Sequence, residues 1–162
     1  MKIIGIDIGT TSICAVVTDA DSGELIASVS APNRAFIASD KPYEKIQDPA
    51  VIMSTVRELI SSLGTHDASA IGFSGQMHGI LYTDSCGNAV SPLYIWQDER
   101  AAQPCKDGKT YAEFLGCFPG YGLATDFYNE VNGLIPDNAE YLCTIADYAA
   151  MQLCGNSKPV MH

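Results

Sequence analysis

Basic side chains are scarce in this sequence. Nine Lys and Arg stand against nineteen Asp and Glu in 162 residues, for a formal charge of −10 and an isoelectric point near 4.4. A surface of that sign repels phosphate backbones, which argues against nucleic acid as a partner. An anionic small ligand would need Mg²⁺, backbone amides or a second domain to offset the field. Long apolar runs are missing too. None reaches the roughly 18 residues needed to cross a bilayer, and Met1-Lys2-Ile3 enters a strand that Asp7 soon interrupts, unlike a secretory leader. Three histidines, and six cysteines at 14, 86, 105, 117, 143 and 154, show no CxxC and no metal-ligand spacing. That disfavours zinc and suits reduced thiols in a cytoplasmic protein. Also absent are G-x-x-x-x-G-K-[ST], G-x-G-x-x-G and G-x-S-x-G, so a P-loop, a dinucleotide fingerprint and a nucleophile elbow are all disfavoured.

What is present starts with Ile3-Ile4-Gly5-Ile6-Asp7-Ile8-Gly9-Thr10-Thr11-Ser12. An aspartate at the end of an apolar strand is costly unless it is paired, solvated or bound to a cation. Gly9 lets the chain turn, and Thr10, Thr11 and Ser12 offer N–H and O–H groups on the way into a second apolar run, Ile13 to Val17. Strand, turn and strand with an acid and donors at the tip make a phosphate cradle in which Asp7 can hold Mg²⁺ through water. The same residues also describe a tight hairpin whose Asp7 only caps the turn.

The chain suits one domain, burying roughly 70% of the surface that it would expose unfolded. Strands are predicted over 2–7, 13–19 and 24–31, with a hairpin turn at Asp19 to Gly23, followed by an irregular connection over 32–47. Asp48 reads as a helix N-cap with Pro49 behind it, and Val51, Ile52, Val56, Leu59, Ile60 and Leu63 recur at helical spacing up to Gly64. A short buried strand follows at 70–73. An antiparallel meander, a helix and a strand beside the first begin a ribonuclease H-like mixed sheet, an α/β fold. Further on, a strand is predicted at 80–83, a turn at 84–88 and short helices near 111–115, 122–132 and 137–143. A longer helix, capped by Thr144, runs from Ile145 to Cys154. The end, Lys158 to His162, brings no closing element and reads as a cut end.

A second cluster, Ser74-Gly75-Gln76-Met77-His78-Gly79, lies just past the buried strand, where open α/β sheets place ligands. Gln76 and His78 both donate and accept hydrogen bonds, and the glycines allow close approach. Trp96 offers a flat apolar wall with one N–H, and Asp98 accepts hydrogen bonds. Amide, imidazole, carboxylate and aromatic face suit a sugar, whose hydroxyls need partners and whose C–H faces pack on rings. Taken singly, a lone histidine is more often structural and a lone tryptophan more often core.

Together, Gly5-Ile-Asp-Ile-Gly-Thr-Thr-Ser12, Gly72-Phe-Ser-Gly-Gln-Met-His-Gly79 and Ile95-Trp-Gln-Asp-Glu-Arg100 resemble the FGGY carbohydrate kinases, on the xylulokinase and sedoheptulokinase branch. Gly120 to Thr125 and Ala146 to Gly155 are similar to later segments of the family's first domain. The resemblance implies an actin-like ATPase fold and transfer of the γ-phosphoryl group of MgATP to a hydroxyl of a ketose. It places Asp7 near Mg²⁺ and the phosphates, Gly9, Thr10 and Thr11 in the first phosphate loop, and Gln76, Met77 and His78 on the sugar. Trp96 falls at the pocket wall, Asp98 at a hydroxyl acceptor and Tyr121 at a further pocket position. The ATP-binding second domain and the catalytic-base aspartate fall beyond residue 162, so residues 1–162 are expected to be a truncated sugar-binding domain, inactive alone. Asp48, Asp67 and Asp147 do not qualify as base. Cys14 stands where the family commonly has Lys or Arg. A non-catalytic sugar-binding module and an actin-like interaction protein are the alternatives, and an incomplete domain with exposed apolar surface can pair into a homodimer.

Overall fold

A computed structural model describes residues 1–160. Its centre is a four-stranded sheet in the order β3-β2-β1-β6, built from β1 (Lys2–Ile8), β2 (Ser12–Asp19), β3 (Leu25–Pro32) and β6 (Ala68–Gly75). β1 pairs antiparallel with β2, and β2 with β3, while β6 runs parallel to β1. The predicted meander and parallel strand are therefore present, although β6 extends two residues beyond the predicted strand at each end and, at the edge of the sheet, is largely exposed rather than buried, Ile71 included. Alternation in β1 and β2 sends Ile4, Ile6, Ile8, Ile13, Ala15 and Val17 into the core, as a period of two requires. That face is covered by α1 (Pro49–Ser62) through Ile52, Met53, Val56 and Leu59, and by α4 (Ile145–Cys154) through Ile145, Ala149 and Met151. Each of these large apolar side chains contributes about 1.5–3 kcal/mol on burial.

Helix ends follow the cap chemistry in the sequence. The Asp48 carboxylate accepts the N–H groups of Ala50 and Val51 at 2.8 and 3.4 Å. Thr144 and Asp147 form a reciprocal capping box on α4, which Gly155 ends with φ near +68°. Thr110 and Glu113 do the same for α2 (Tyr111–Leu115). α3 covers Gly122–Val131.

Two predictions give way to pairing. The 32–47 connection is not wholly irregular: it holds β4 (Phe36–Ile37) and β5 (Ile46–Gln47), which join β8 (Leu93–Tyr94) in a second sheet ordered β4-β5-β8. Residues 137–143 are not a helix. Their last three form β9 (Tyr141–Cys143), antiparallel to β7 (Leu81–Thr83), with Leu81 opposite Cys143 and Thr83 opposite Tyr141. A three-residue apolar run has weak preferences of its own, and β7 otherwise leaves buried backbone groups unpaired. Part of the 92–100 stretch is β8, and a 3-10 turn follows at Arg100–Ala102. Lys158, Pro159 and Val160 add no regular element; Met161 and His162, the rest of the predicted cut end, lie outside the described residues.

Candidate functional site

The parallel strands β1 and β6 end side by side, with Asp7 opposite Ser74 and Ile8 opposite Gly75. Two chain segments leave from there. The first is the turn from β1 into β2, closed by the Gly9 N–H on the Ser12 carbonyl at 2.9 Å. A Cβ at position 9 would stand 2.9 Å from that same oxygen, so the turn needs glycine. Asp7 is exposed and makes no hydrogen bond or ion pair among the described residues. Across the sheet it faces Cys14, so the cross-strand neighbour that could neutralise it is a thiol. Likewise the backbone N–H groups of Thr10 and Thr11 have no partner among the described residues. A free carboxylate beside free N–H donors fits a hydrated divalent ion and phosphate oxygens. No three His, Cys, Asp or Glu side chains converge on a point among the described residues.

The second segment is Gln76 to Gly79, held to the first by the Gln76 N–H on the Ile8 carbonyl at 2.9 Å. His78 takes a left-handed φ of +66°, a strained backbone for a non-glycine residue. That conformation stacks its ring on Tyr121 at 4.4 Å between centroids. Tyr121 reaches it because of its neighbours. A Cβ on Gly120 would fall 1.9 Å from the Trp96 carbonyl oxygen, and one on Gly122 would meet Ile80 at 2.4 Å and the His78 carbonyl at 2.9 Å. Gly-Tyr-Gly is thus the only way to lay this backbone against the Trp96 and His78 segments.

Trp96 is half exposed, and its indole N–H donates to the Thr10 hydroxyl at 3.0 Å. That hydroxyl in turn donates to Gln76 Oε1 at 3.3 Å. Asp7, Gly9, Thr10, Gly75, Gln76, Met77, His78 and Trp96 line one cleft of about 390 Å³, so residues separated by up to about ninety positions meet in a single concavity. Tyr121 borders it on the far side of His78, and Thr11 is exposed and does not line it. A larger groove of about 580 Å³ at the start of α1 is lined by Ile37, Pro49, Ala50, Val90 and Pro92, with Asp48, Asn88, Ser91 and Tyr148 as its polar groups.

Asp98 is the exception among the sequence-selected residues. It is fully buried, and it does not face the cleft. Its Oδ2 accepts the Lys45 N–H at 2.9 Å and an Arg100 guanidinium N–H at 3.1 Å, while Oδ1 accepts Arg100 Nε at 2.7 Å. Arg100 also donates to Asn129 and to Glu44, and lies over the Tyr94 ring at 4.0 Å. Burial works against the guanidinium charge, yet the Asp98 hydrogen bonds and charge, with Tyr94 and Glu44, hold its pKa above the usual value. A carboxylate so used, with the Arg100 backbone N–H also on Oδ1 at 3.0 Å, has no lone pair free for a sugar hydroxyl, and it fixes the loop two residues beyond Trp96.

Two residues not singled out from sequence support the cleft from behind: Asn33, which caps the Gly9 carbonyl at 2.9 Å, and fully buried Gln47. Polar side chains in a connecting segment carry no periodic signal, and only the folded contact shows their use.

The chain is similar to known proteins in sequence and in fold. The chain is 36% identical over 112 residues to the xylulose kinase of Staphylococcus xylosus, covering 66% of this chain and 22% of that protein. It is 31% identical over 199 aligned positions to the sedoheptulokinase of Mus musculus, covering 98% and 39%. The ligand-bound xylulose kinase of Lactobacillus acidophilus superposes with a TM-score of 0.77 at 23% identity, over 93% of this chain and 32% of that one. A gluconate kinase from the same organism superposes equally well, with a TM-score of 0.77. The structural likeness shows the α/β, actin-like fold. The chain spans between about a fifth and two fifths of the length of these relatives. Residues 2–116 match the FGGY family of carbohydrate kinases, N-terminal domain, and with that match over more than half its length the chain belongs to the FGGY family of carbohydrate kinases.

Proposed function

We propose that residues 1–162 are the sugar-side domain of a kinase that transfers the γ-phosphoryl group of MgATP to a hydroxyl of a ketose of the xylulose or sedoheptulose kind. One observation carries the reading: the Thr10 hydroxyl, in the phosphate-facing turn, is hydrogen-bonded both to Trp96 and to Gln76 of the sugar-facing segment. Donor and acceptor substrates would therefore meet across one residue, as an in-line transfer requires.

In this reading Gln76 and His78 bind sugar hydroxyls, while Met77, Trp96 and Tyr121 shape the apolar wall. Asp98 positions Trp96 through Arg100. Asp7, through water, and the N–H groups of the Gly9, Thr10 and Thr11 turn are the residues that would hold Mg²⁺ and phosphate, with adenosine mainly on a second domain. MgATP supplies the phosphoryl group and the counter-charge for its transfer. The resemblance to the family, not elimination, is what places the base that takes the sugar hydroxyl proton outside these residues; Asp48 and Asp147 cap helices and Asp67 pairs with Lys2 at 2.9 Å. The reading takes the protein as cytoplasmic, which six cysteines without metal-ligand spacing support; no described helix is long and apolar enough to cross a membrane. Exposed Ile26, Phe36 and Ile71 supply apolar surface through which two copies could pair.

The test uses the single tryptophan. Xylulose, ribulose, sedoheptulose, gluconate and glycerol are titrated while Trp96 emission is followed, with a polyether as control. A saturable response to one ketose supports the reading. A saturable response to glycerol or gluconate alone overturns the ketose assignment, and sugar phosphate formed by this chain with MgATP overturns the placement of the base elsewhere.

A further inference from the structure

Gln47 sits at the end of β5, one residue before the N-cap of α1, with none of its surface exposed. Backbone pairing fixes it on both sides, opposite Phe36 on β4 and Leu93 on β8. Its carboxamide reaches out of this frame into the cleft wall. Nε2 donates to the Thr10 carbonyl at 2.8 Å, and Oε1 accepts Gln76 Nε2 at 2.9 Å and Asn33 Nδ2 at 3.5 Å. Asn33 also holds the Gly9 carbonyl.

These bonds run head to tail. An indole N–H can only donate, so Trp96 obliges the Thr10 oxygen to accept and turns its own proton toward Gln76 Oε1. Gln76 then presents its NH₂ to Gln47 Oε1, and Gln47 returns its NH₂ to the Thr10 carbonyl. Thr10, Gln76 and Gln47 form a closed ring with Trp96 attached, and each amide orientation is set by its predecessor. Bonds in such a chain polarise one another, and a buried member without its partner is costly.

We propose that Gln47 is the positioning residue that ties the phosphate-facing turn to the sugar-facing segment. It fixes which way Gln76 presents its amide and holds the Thr10 turn at a set height above β6. A hydrophobic side chain of equal size at 47 would fill the space and leave the Thr10 carbonyl and Gln76 NH₂ free to turn. The tie is a property of this chain alone. Its effect on sugar affinity rests on the ketose reading above.

One tryptophan means one indole N–H peak in a ¹H–¹⁵N spectrum, and that peak reports the bond to Thr10. Thr10→Val removes the acceptor and marks where an untied indole resonates. Gln47→Leu should move the peak toward that position by more than its linewidth, with helix content by circular dichroism unchanged. A Q47L peak coincident with the wild-type one, while T10V moves, overturns the proposal. Should Q47L not fold, the wild-type chain decides: side-chain amide protons of Gln47 should exchange at least about tenfold more slowly than those of exposed Gln97, and equal rates overturn it. Where a ketose binds, Q47L should weaken it about tenfold, about 1.4 kcal/mol. A peak that answers to Q47L but to no ketose keeps the tie and overturns the sugar reading instead.

Discussion

Asp98 and His78 show how far a side chain's role departs from its type. The carboxylate of Asp98 has every oxygen engaged by Lys45 and Arg100, so its removal should act on the fold before it acts on any ligand. Asp98→Asn leaves the buried guanidinium short of charge, and is expected to cost about 3 kcal/mol or more, read as a lowered urea midpoint of Trp96 emission. An Asp98 that bound sugar directly would instead give an unchanged midpoint and weakened ketose affinity. His78 presents the reverse case, exposed and strained, with its ring face against Tyr121. His78→Ala should leave the urea midpoint within about 0.5 kcal/mol and weaken ketose binding about tenfold, or about 1.4 kcal/mol. In the sequence His78 drew notice in a cluster just past a strand, and Asp98 as a hydrogen-bond acceptor close to Trp96. Burial separates them, and it depends on groups from elsewhere in the chain: Lys45 on Asp98 and Asn129 on its partner Arg100, against Tyr121 alone on one face of His78.

Among the elements, the junction before α3 is the most constrained. Gly120 lies so close to the Trp96 carbonyl that any Cβ must push the two segments apart. Gly120→Ala is expected to destabilise the chain by about 1–3 kcal/mol and to free Tyr121 from His78, seen as a shift of Trp96 emission. Gly108, with open space around the position of a Cβ, shows only the backbone penalty of its positive φ when changed to Ala. Helix boundaries were legible beforehand because caps are local: Asp48-Pro49, Thr144 with Asp147, and Gly155 each satisfy backbone groups within four residues. β4, β5 and β9 were not, since two- or three-residue strands exist only through partners that the turns bring alongside.

Across the whole molecule, burial pushes the Cys143 thiol up to about 12 from a usual value of 9.0, and likewise raises Tyr82 and Tyr94. The folded state therefore keeps protons that the unfolded chain releases. Stability from these groups is complete below about pH 9 and falls as pH rises above it. The melting temperature should decline steadily from pH 9 to about 11; a constant value over that interval would contradict the burial of these groups. For the same reason a thiol reagent at about pH 8 should label exposed Cys86 and Cys154 and leave Cys143 untouched until the chain unfolds.

Sequence alone determined what depends on near neighbours and on composition: the alternating strands of the meander, the capped helices, the glycine turn after Asp7, and the family motifs at both cleft segments. Tertiary structure decided which motif residues meet. Thr10, Gln47, Gln76 and Trp96 lie in four separate stretches, and a hydrogen bond between side chains leaves no trace in the spacing of either partner. Only when the ends of β1 and β6 met β5 of the second sheet did the donors and acceptors beside them close into a ring. Only the packing of Arg100 beneath β8 turned Asp98 from the cleft to the core.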